Sequence, residues 1–264
     1  VDESYYDAHM TYAVAIGAAG YPHFVELNIC LVRDVLGKDT PVVVCDDYSQ
    51  DSPQIERVAA KRDCFYMRND VPLGHFQGDV QAFIHALSLA EVEKRDIALK
   101  LSQRCSICSP DVKAIVEAAF LADDKISVVC PGRPDPRRIR KGHEQFARFP
   151  ILTDIVFMKA NSVSPEFIKE AYLQQVRNGK AYHDCFVEVF FWNLKEKQMP
   201  NRVHLCPALT DHRGGQPPLY LRRYQNTQLD YQRYGDRYGI HPVAWELEER
   251  VKLTKRYDPR PKAF

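Results

Sequence analysis

The sequence predicts an α/β fold, a mixed, mostly parallel sheet sandwiched by helices, and three observations carry that prediction. Short runs of β-formers alternate with stretches of helical period from residue 11 onward. The runs are continuously apolar instead of alternating, which is the pattern of strands covered on both faces. Directly after them come turn formers and polar groups, at the strand ends where open α/β sheets bind their ligands.

Residues 11–19, TYAVAIGAA, read as the first strand. Gly20, Tyr21 and Pro22 make the turn, and Phe24, Leu27, Ile29, Leu31 and Val35 give the first helix, closed by Gly37. Residues 41–46 follow as the second strand, with Val42, Val43, Val44 and Cys45 running straight into Asp46, Asp47 and Ser49. Ser52 and Pro53 open the second helix, where proline suits the first turn because its missing N–H has no partner to lose. Residues 64–67 form a short third strand; then comes the loop RNDVPLGHFQG and a helix with Val80, Phe83, Ile84 and Leu87 at i, i+3, i+4, i+7.

A fourth strand, residues 96–101, DIALKL, runs into the polar turn SQRCSICSP. Ser109 is a good N-cap and Pro110 a good first residue for a helix that aligns Val112, Ile115, Val116, Ala119 and Phe120 on one face. Residues 126–130 give a fifth strand, and residues 131–150 a basic, proline-studded insertion with Arg133, Arg137, Arg138, Arg140, Lys141 and His143. Residues 154–159 read as another strand, 165–176 as a helix and 182–194 as a strongly apolar helix. Residues 1–215 are expected to form one domain. Residues 216–264 are expected to be a helical extension packed on it, because Leu219, Leu221, Tyr224, Tyr231, Tyr234 and Trp245 are too apolar for a free tail.

Composition excludes several classes. The 36 basic and 35 acidic residues leave a net charge of +1, so no global field recruits nucleic acid or an anionic membrane. No apolar run approaches the ~20 residues needed to span a bilayer. The opening VDESYYDAHMT lacks the apolar core of a signal peptide, so the expected location is cytoplasmic; the missing initial methionine fits a fragment of a longer chain. Cys30, Cys45, Cys64, Cys130, Cys185 and Cys206 are scattered singly beside apolar segments and read as reduced thiols. Cys105 and Cys108 form a CxxC without the second pair that a structural zinc site needs.

Asp46 and Asp47, at the end of a buried strand, either cap the helix that starts near Pro53 or face a ligand at the cleft rim. The order of motifs bears on that choice. VVVCDDYSQD is similar to the VxVDDxSxD segment of GT-A glycosyltransferases of the family 2 type, RNDVPLGHFQGDVQAFIHAL to their N-x-x-x-G loop and following helix, and HDCFVE stands at their ED motif. The resemblance covers roughly residues 11–195. It implies a GT-A (nucleotide-diphospho-sugar transferase) fold and transfer of a sugar from a UDP- or GDP-sugar to a glycan or other polar acceptor, with inversion.

The same resemblance implies roles for particular residues. Asp46 and Asp47 would hold the base and ribose, whose donors suit carboxylates. Arg68 would reach the base or a phosphate, and Tyr21 either stacks on the base or is an ordinary turn aromatic. Asp184 is the first candidate for the catalytic base, with Glu188 and His183 next. The departure is at the metal: where the family has DxD, this chain has Ser102, Gln103 and Arg104. A divalent cation, Mn²⁺ or Mg²⁺, would then be held from elsewhere, His204 and His212 being weak candidates, or Arg104 neutralises the pyrophosphate directly. Lys100 either adds to that charge or lies on a solvated strand edge, and Arg213, in TDHRGG, sits in a loop that could cover the donor. Two alternatives remain: a non-catalytic carbohydrate- or nucleotide-binding domain of this fold, and a sugar-phosphate nucleotidyltransferase, whose glycine-rich loop AIGAAGYPH imitates poorly.

Overall fold

The structure is a computed structural model that describes residues 10–103, 105–132, 153–177, 190–191, 193–209, 219–222 and 233–240. The elements in chain order are β1 (Tyr12–Ala18), α1 (Pro22–Leu36), β2 (Val42–Asp46), α2 (Ser52–Lys61), β3 (Phe65–Arg68), α3 (Gly74–Val92) and β4 (Ile97–Ser102). They continue as β5 (Cys105–Ile107), α4 (Asp111–Ala122), β6 (Val128–Pro131), β7 (Ile155–Lys159), α5 (Pro165–Arg177), β8 (Val203–Cys206) and β9 (Tyr220–Arg222). The main sheet has seven strands in the order β3-β2-β1-β4-β7-β6-β8, with β7 antiparallel to its neighbours and every other pairing parallel. This is the mixed, mostly parallel sheet between helices that the alternation of patterns predicts.

The continuous apolar runs are explained by two cores, one on each face of the sheet. On one face Val14, Ile16, Val42, Val44, Leu99 and Phe157 meet α1, α2 and α4. On the other, Ala13, Ala15, Val43 and Ala98 meet α3 through Val80, Phe83 and Leu87, and Val156 and Met158 join the same core with Ile168 and Ala171 of α5. The small residues of β1 and β4 sit under α3, which lets the helix lie close to the sheet. A third cluster covers the outer side of α1, where Phe24, Leu27 and Leu31 pack against Tyr234 and Ile240.

Three strands are absent from the sequence reading. β5 lies where SQRCSICSP reads as a turn, β8 in a stretch without an assignment, and β9 inside the segment expected to be helical. The reason is common to them: three- or four-residue ladders are too short to display a period, and the partner of β5 is β9, with Cys105 opposite Arg222. Of the apolar segment 182–194, Phe190 and Phe191 are fully buried, and Leu194–Gln198 forms a π-helical turn. The basic insertion lies outside the described residues from position 133. No described helix is long and apolar enough to cross a membrane.

Candidate functional site

The chain order of the strands sets where a cleft forms. From β1 the chain winds outward through β2 and β3, then returns to lay β4 on the other side of β1. The connections leaving the carboxyl ends of β1 and β4 therefore diverge, opening a crevice between them. A cleft of about 50 Å³ lies there, under the first turns of α3. Its floor is a row of small residues, Cys45, Gly17 and Ser102, paired across β2, β1 and β4. Gly78 and Asp79 of α3 stand over the floor, and Asp47 and Asn69 stand to one side.

The two neighbouring aspartates have different surroundings, because successive residues at a strand end point to opposite faces. Asp46 is fully buried on the α1–α2 face, where it accepts hydrogen bonds from the Tyr66 hydroxyl at 2.8 Å and the Ser49 amide at 3.2 Å. It does not line the cleft. Burial, and the bond to Asp46 after it, push the Tyr66 hydroxyl up to about 12. Asp47 lines the cleft and accepts three bonds: Leu73 N–H at 2.7 Å, Gly74 N–H at 2.9 Å and Asn69 Nδ2 at 3.0 Å. Burial raises its pKa above the usual carboxylate value, although those three donors pull the other way.

Asp47 thus caps the start of α3, not the helix at Pro53. That close approach accounts for Gly78, where an added Cβ would come within 3.3 Å of the Asp47 carboxyl carbon. Asp51 works similarly on the other side, accepting the Tyr21 amide at 3.3 Å. The segment DDYSQD is therefore a hydrogen-bonded junction between the β1 turn, β3 and the α3 start. Burial pushes the thiol of Cys45, on the floor, up to about 12.

The remaining candidates separate. Tyr21 is 7% exposed, with left-handed backbone at φ 61°, and its ring packs edge-on to Phe24 in the cluster outside α1. It does not line the cleft. Arg68 is exposed, with its guanidinium 4.5 Å from the centre of the Tyr48 ring. His204 is on β8, separated from β4 by β7 and β6. Arg104, His183, Asp184, Glu188, His212 and Arg213 lie outside the described residues.

Sequence reasoning missed Asp79 and left Lys100 open between a charge for the pyrophosphate and a solvated strand edge. Lys100 is on a central strand, not a solvated edge, and is 1% exposed. Its ammonium donates to Asp79 Oδ1 at 2.6 Å and to the Thr153 carbonyl at 3.1 Å, and lies 5.2 Å from the centre of the Phe83 ring. A lysine inside an otherwise apolar strand run was the signal for a buried counter-charge. Gln103, next to the floor, ties the two strand ends together: its amide N–H donates to the Gly17 carbonyl, and its side-chain oxygen accepts from the Ala19 N–H, both at 3.0 Å.

The described residues do not fit a divalent cation. A hard cation wants several carboxylate oxygens. Here Asp47 is engaged by three N–H donors and Asp79 by an ammonium, and no three His, Cys, Asp or Glu side chains among the described residues converge on one point.

No family model matches the chain, and no curated protein matches it. Among solved structures it is similar to a mannosyltransferase from Pyrobaculum calidifontis in complex with GDP-Man and Mn²⁺, at TM-score 0.49 and 16% identity over 76% of this chain and 56% of that one. It is similar also to a cytidylyltransferase from Leptospira borgpetersenii, at TM-score 0.47 and 13% identity over 97% of this chain and 100% of that one. A third is glucosyl-3-phosphoglycerate synthase from Mycobacterium tuberculosis in complex with Mn²⁺, UDP and glucosyl-3-phosphoglycerate, at TM-score 0.41 and 13% identity over 65% of this chain and 67% of that one. This chain spans little more than half of the mannosyltransferase. At scores below 0.5 the ligands of those proteins say nothing about the ligand of this one.

Proposed function

We propose that the protein is a glycosyltransferase that moves a sugar from a UDP- or GDP-sugar to a glycan or other polar acceptor, with inversion at the anomeric carbon. The observation that carries this reading is the position of the cleft: it opens at the switch point between β1 and β4, on the carboxyl side of the parallel strands, where sheets of this kind bind nucleotides. Its described lining includes Asp47, Asp79, Asn69 and Gln81 and contains no lysine, arginine or histidine. Such a lining suits the hydroxyl and N–H donors of a nucleoside better than a phosphate.

In this reading the nucleoside occupies the cleft and the pyrophosphate lies outside it, met by Arg104 after β4 and by Arg213. Asp46 and Tyr21 support the site from behind, and Arg68 acts from the rim. Asp184 takes the proton of the acceptor hydroxyl as the new glycosidic bond forms and the nucleoside diphosphate leaves, with Glu188 and His183 beside it in sequence. A second reading, a binding domain without catalysis, is favoured by the way both cleft carboxylates are already engaged. Turnover of UDP-, GDP-, CMP- and dTDP-sugars, and of nucleoside triphosphates with sugar phosphates, with and without Mn²⁺, tests these readings. Release of a nucleoside diphosphate supports the transferase. Release of pyrophosphate from a nucleoside triphosphate and a sugar phosphate would identify a nucleotidyltransferase, and binding without turnover would leave the binding domain.

A further inference from the structure

A buried ion pair gives a fold little that well-packed apolar residues would not, because removing two charges from water offsets most of their attraction. The Lys100–Asp79 pair stands out for that reason. Both faces of β4 are covered, its other residues are Ile97, Ala98, Leu99, Leu101 and Ser102, and an aliphatic side chain at position 100 would join the core formed by Val43, Phe83 and Val156. Instead the ammonium is held between Asp79 and the Thr153 carbonyl, while Asp79, 11% exposed, reaches the cleft. The floor opposite Asp79 is left open as well. Gly17 does not require positive φ, and a Cβ there would meet only ordinary contacts, 3.7 Å to Ala82 and 3.8 Å to Asp79. The fold therefore tolerates alanine at the one place where its absence keeps space in front of the carboxylate.

We propose that Asp79 is a ligand-contacting acceptor in this cleft and that Lys100 is its positioning residue. Lys100 holds the carboxylate in place, so that it receives an O–H or N–H donor from the uncharged part of a nucleotide ligand, the ribose diol or a base edge. The proposal rests on the nucleotide-sugar reading and goes beyond it, because it places a second carboxylate, from α3, in the cleft beside Asp47. It also assigns the buried lysine to ligand recognition instead of stability.

The test is calorimetric titration of UDP and of GDP into the whole chain, for the wild type, Asp79→Asn, Lys100→Met and the double variant, with thermal unfolding of each. Loss of a hydrogen bond to a charged group predicts affinity about ten- to a hundredfold weaker for Asp79→Asn. Lys100→Met should lose affinity to a similar extent. The double variant should bind no more weakly than Asp79→Asn alone, because Lys100 acts through Asp79; a lysine that merely supported the fold would give additive losses. Lys100→Gln, uncharged but able to donate hydrogen bonds, takes the place of Lys100→Met if that variant does not fold. The double variant leaves no orphaned buried charge and should melt no lower than Lys100→Met. If the wild type binds neither nucleotide, the nucleotide reading falls and this proposal with it. If the wild type binds and Asp79→Asn binds equally well, only this proposal is overturned. Additive losses, or wild-type affinity in Lys100→Met, would remove the positioning role.

Discussion

Asp47→Ala separates the two functions that a carboxylate at this position can have. The substitution deletes three hydrogen bonds at once, from Leu73 N at 2.7 Å, Gly74 N at 2.9 Å and Asn69 Nδ2 at 3.0 Å. Hydrogen bonds to a charged group are worth ~1.5–3 kcal/mol each, but the sum overstates the loss. Leu73 and Gly74 are half-buried, so water replaces part of what the carboxylate supplied, and burial makes the ionised form costly, a cost the variant no longer carries. What remains is the loss of a helix start, at the upper end of the capping range, about 2 kcal/mol. For a chain of this size that corresponds to a melting point lower by about 4–8 °C. Asp47→Asn should fall between, since its one oxygen serves Leu73 and Asn69 while its NH₂ opposes the Gly74 N–H; about 1 kcal/mol is expected. Urea unfolding measures both, and amide exchange at Gly74 should accelerate in the same order. An Asp47→Ala midpoint equal to wild type would refute the capping argument, and any weakening of nucleotide binding in that variant would then belong to direct contact.

Four further outcomes are expected. Tyr66→Phe leaves the buried Asp46 carboxylate without its 2.8 Å donor and should cost about 1–3 kcal/mol in urea unfolding; unchanged stability would mean that Asp46 is solvated. Glu26 accepts from Lys61 and Arg62, each at 2.8 Å; burial works to raise its pKa, but the two cations together hold it below the usual value. Its contribution is therefore complete above the unfolded carboxylate pKa of about 4.3 and is lost as pH falls through the lower folded value, so Glu26→Gln should be destabilising at pH 7 and should match wild type in acid. Asp184→Asn should spare UDP and GDP affinity while suppressing transfer; persisting transfer would pass the base role to Glu188 or His183. Arg104→Ala should reduce transfer more than EDTA does, and complete loss in EDTA with full recovery in Mn²⁺ would show that a cation does the work assigned to the arginine.

Much of the fold was legible because its signals are local. β1, β2, β4 and β6 are runs rich in Val, Ile, Ala and Leu closed by turn formers, and α3 carries a clean helical stripe at Val80, Phe83, Ile84 and Leu87. β5 and β9 were not legible because their ladder joins Ile107 to Tyr220 across more than a hundred residues, and neither strand is long enough to show alternation. At the site, the strand end at Asp46 and Asp47 could be read, but not the direction of each carboxylate. That depends on which face α3 covers, a fact set by the order of strands and not by the segment itself. Asp79 was hidden for a related reason: in sequence it is one polar residue in an amphipathic helix, and only the return of β4 beside β1 brings Lys100 against it.

The same geometry bears on how a pyrophosphate could be stabilised. Among the described lining residues the cleft holds two carboxylates, and the nearest buried cation, Lys100, is already turned toward Asp79 and the Thr153 carbonyl. A phosphate moved into that space would meet like charge without a counter-ion, at a cost that grows as water is excluded. In the proposed reading, positive charge for a leaving group comes from beyond the described floor, and the residues that follow Gln103 are the first candidates. Gln103 is bound on both sides to β1, through the Gly17 carbonyl and the Ala19 amide, so the chain leaves β4 from a fixed point at the edge of the cleft. Arg104 is the next residue, which is the physical reason for assigning the leaving-group charge to it before any arginine of the insertion.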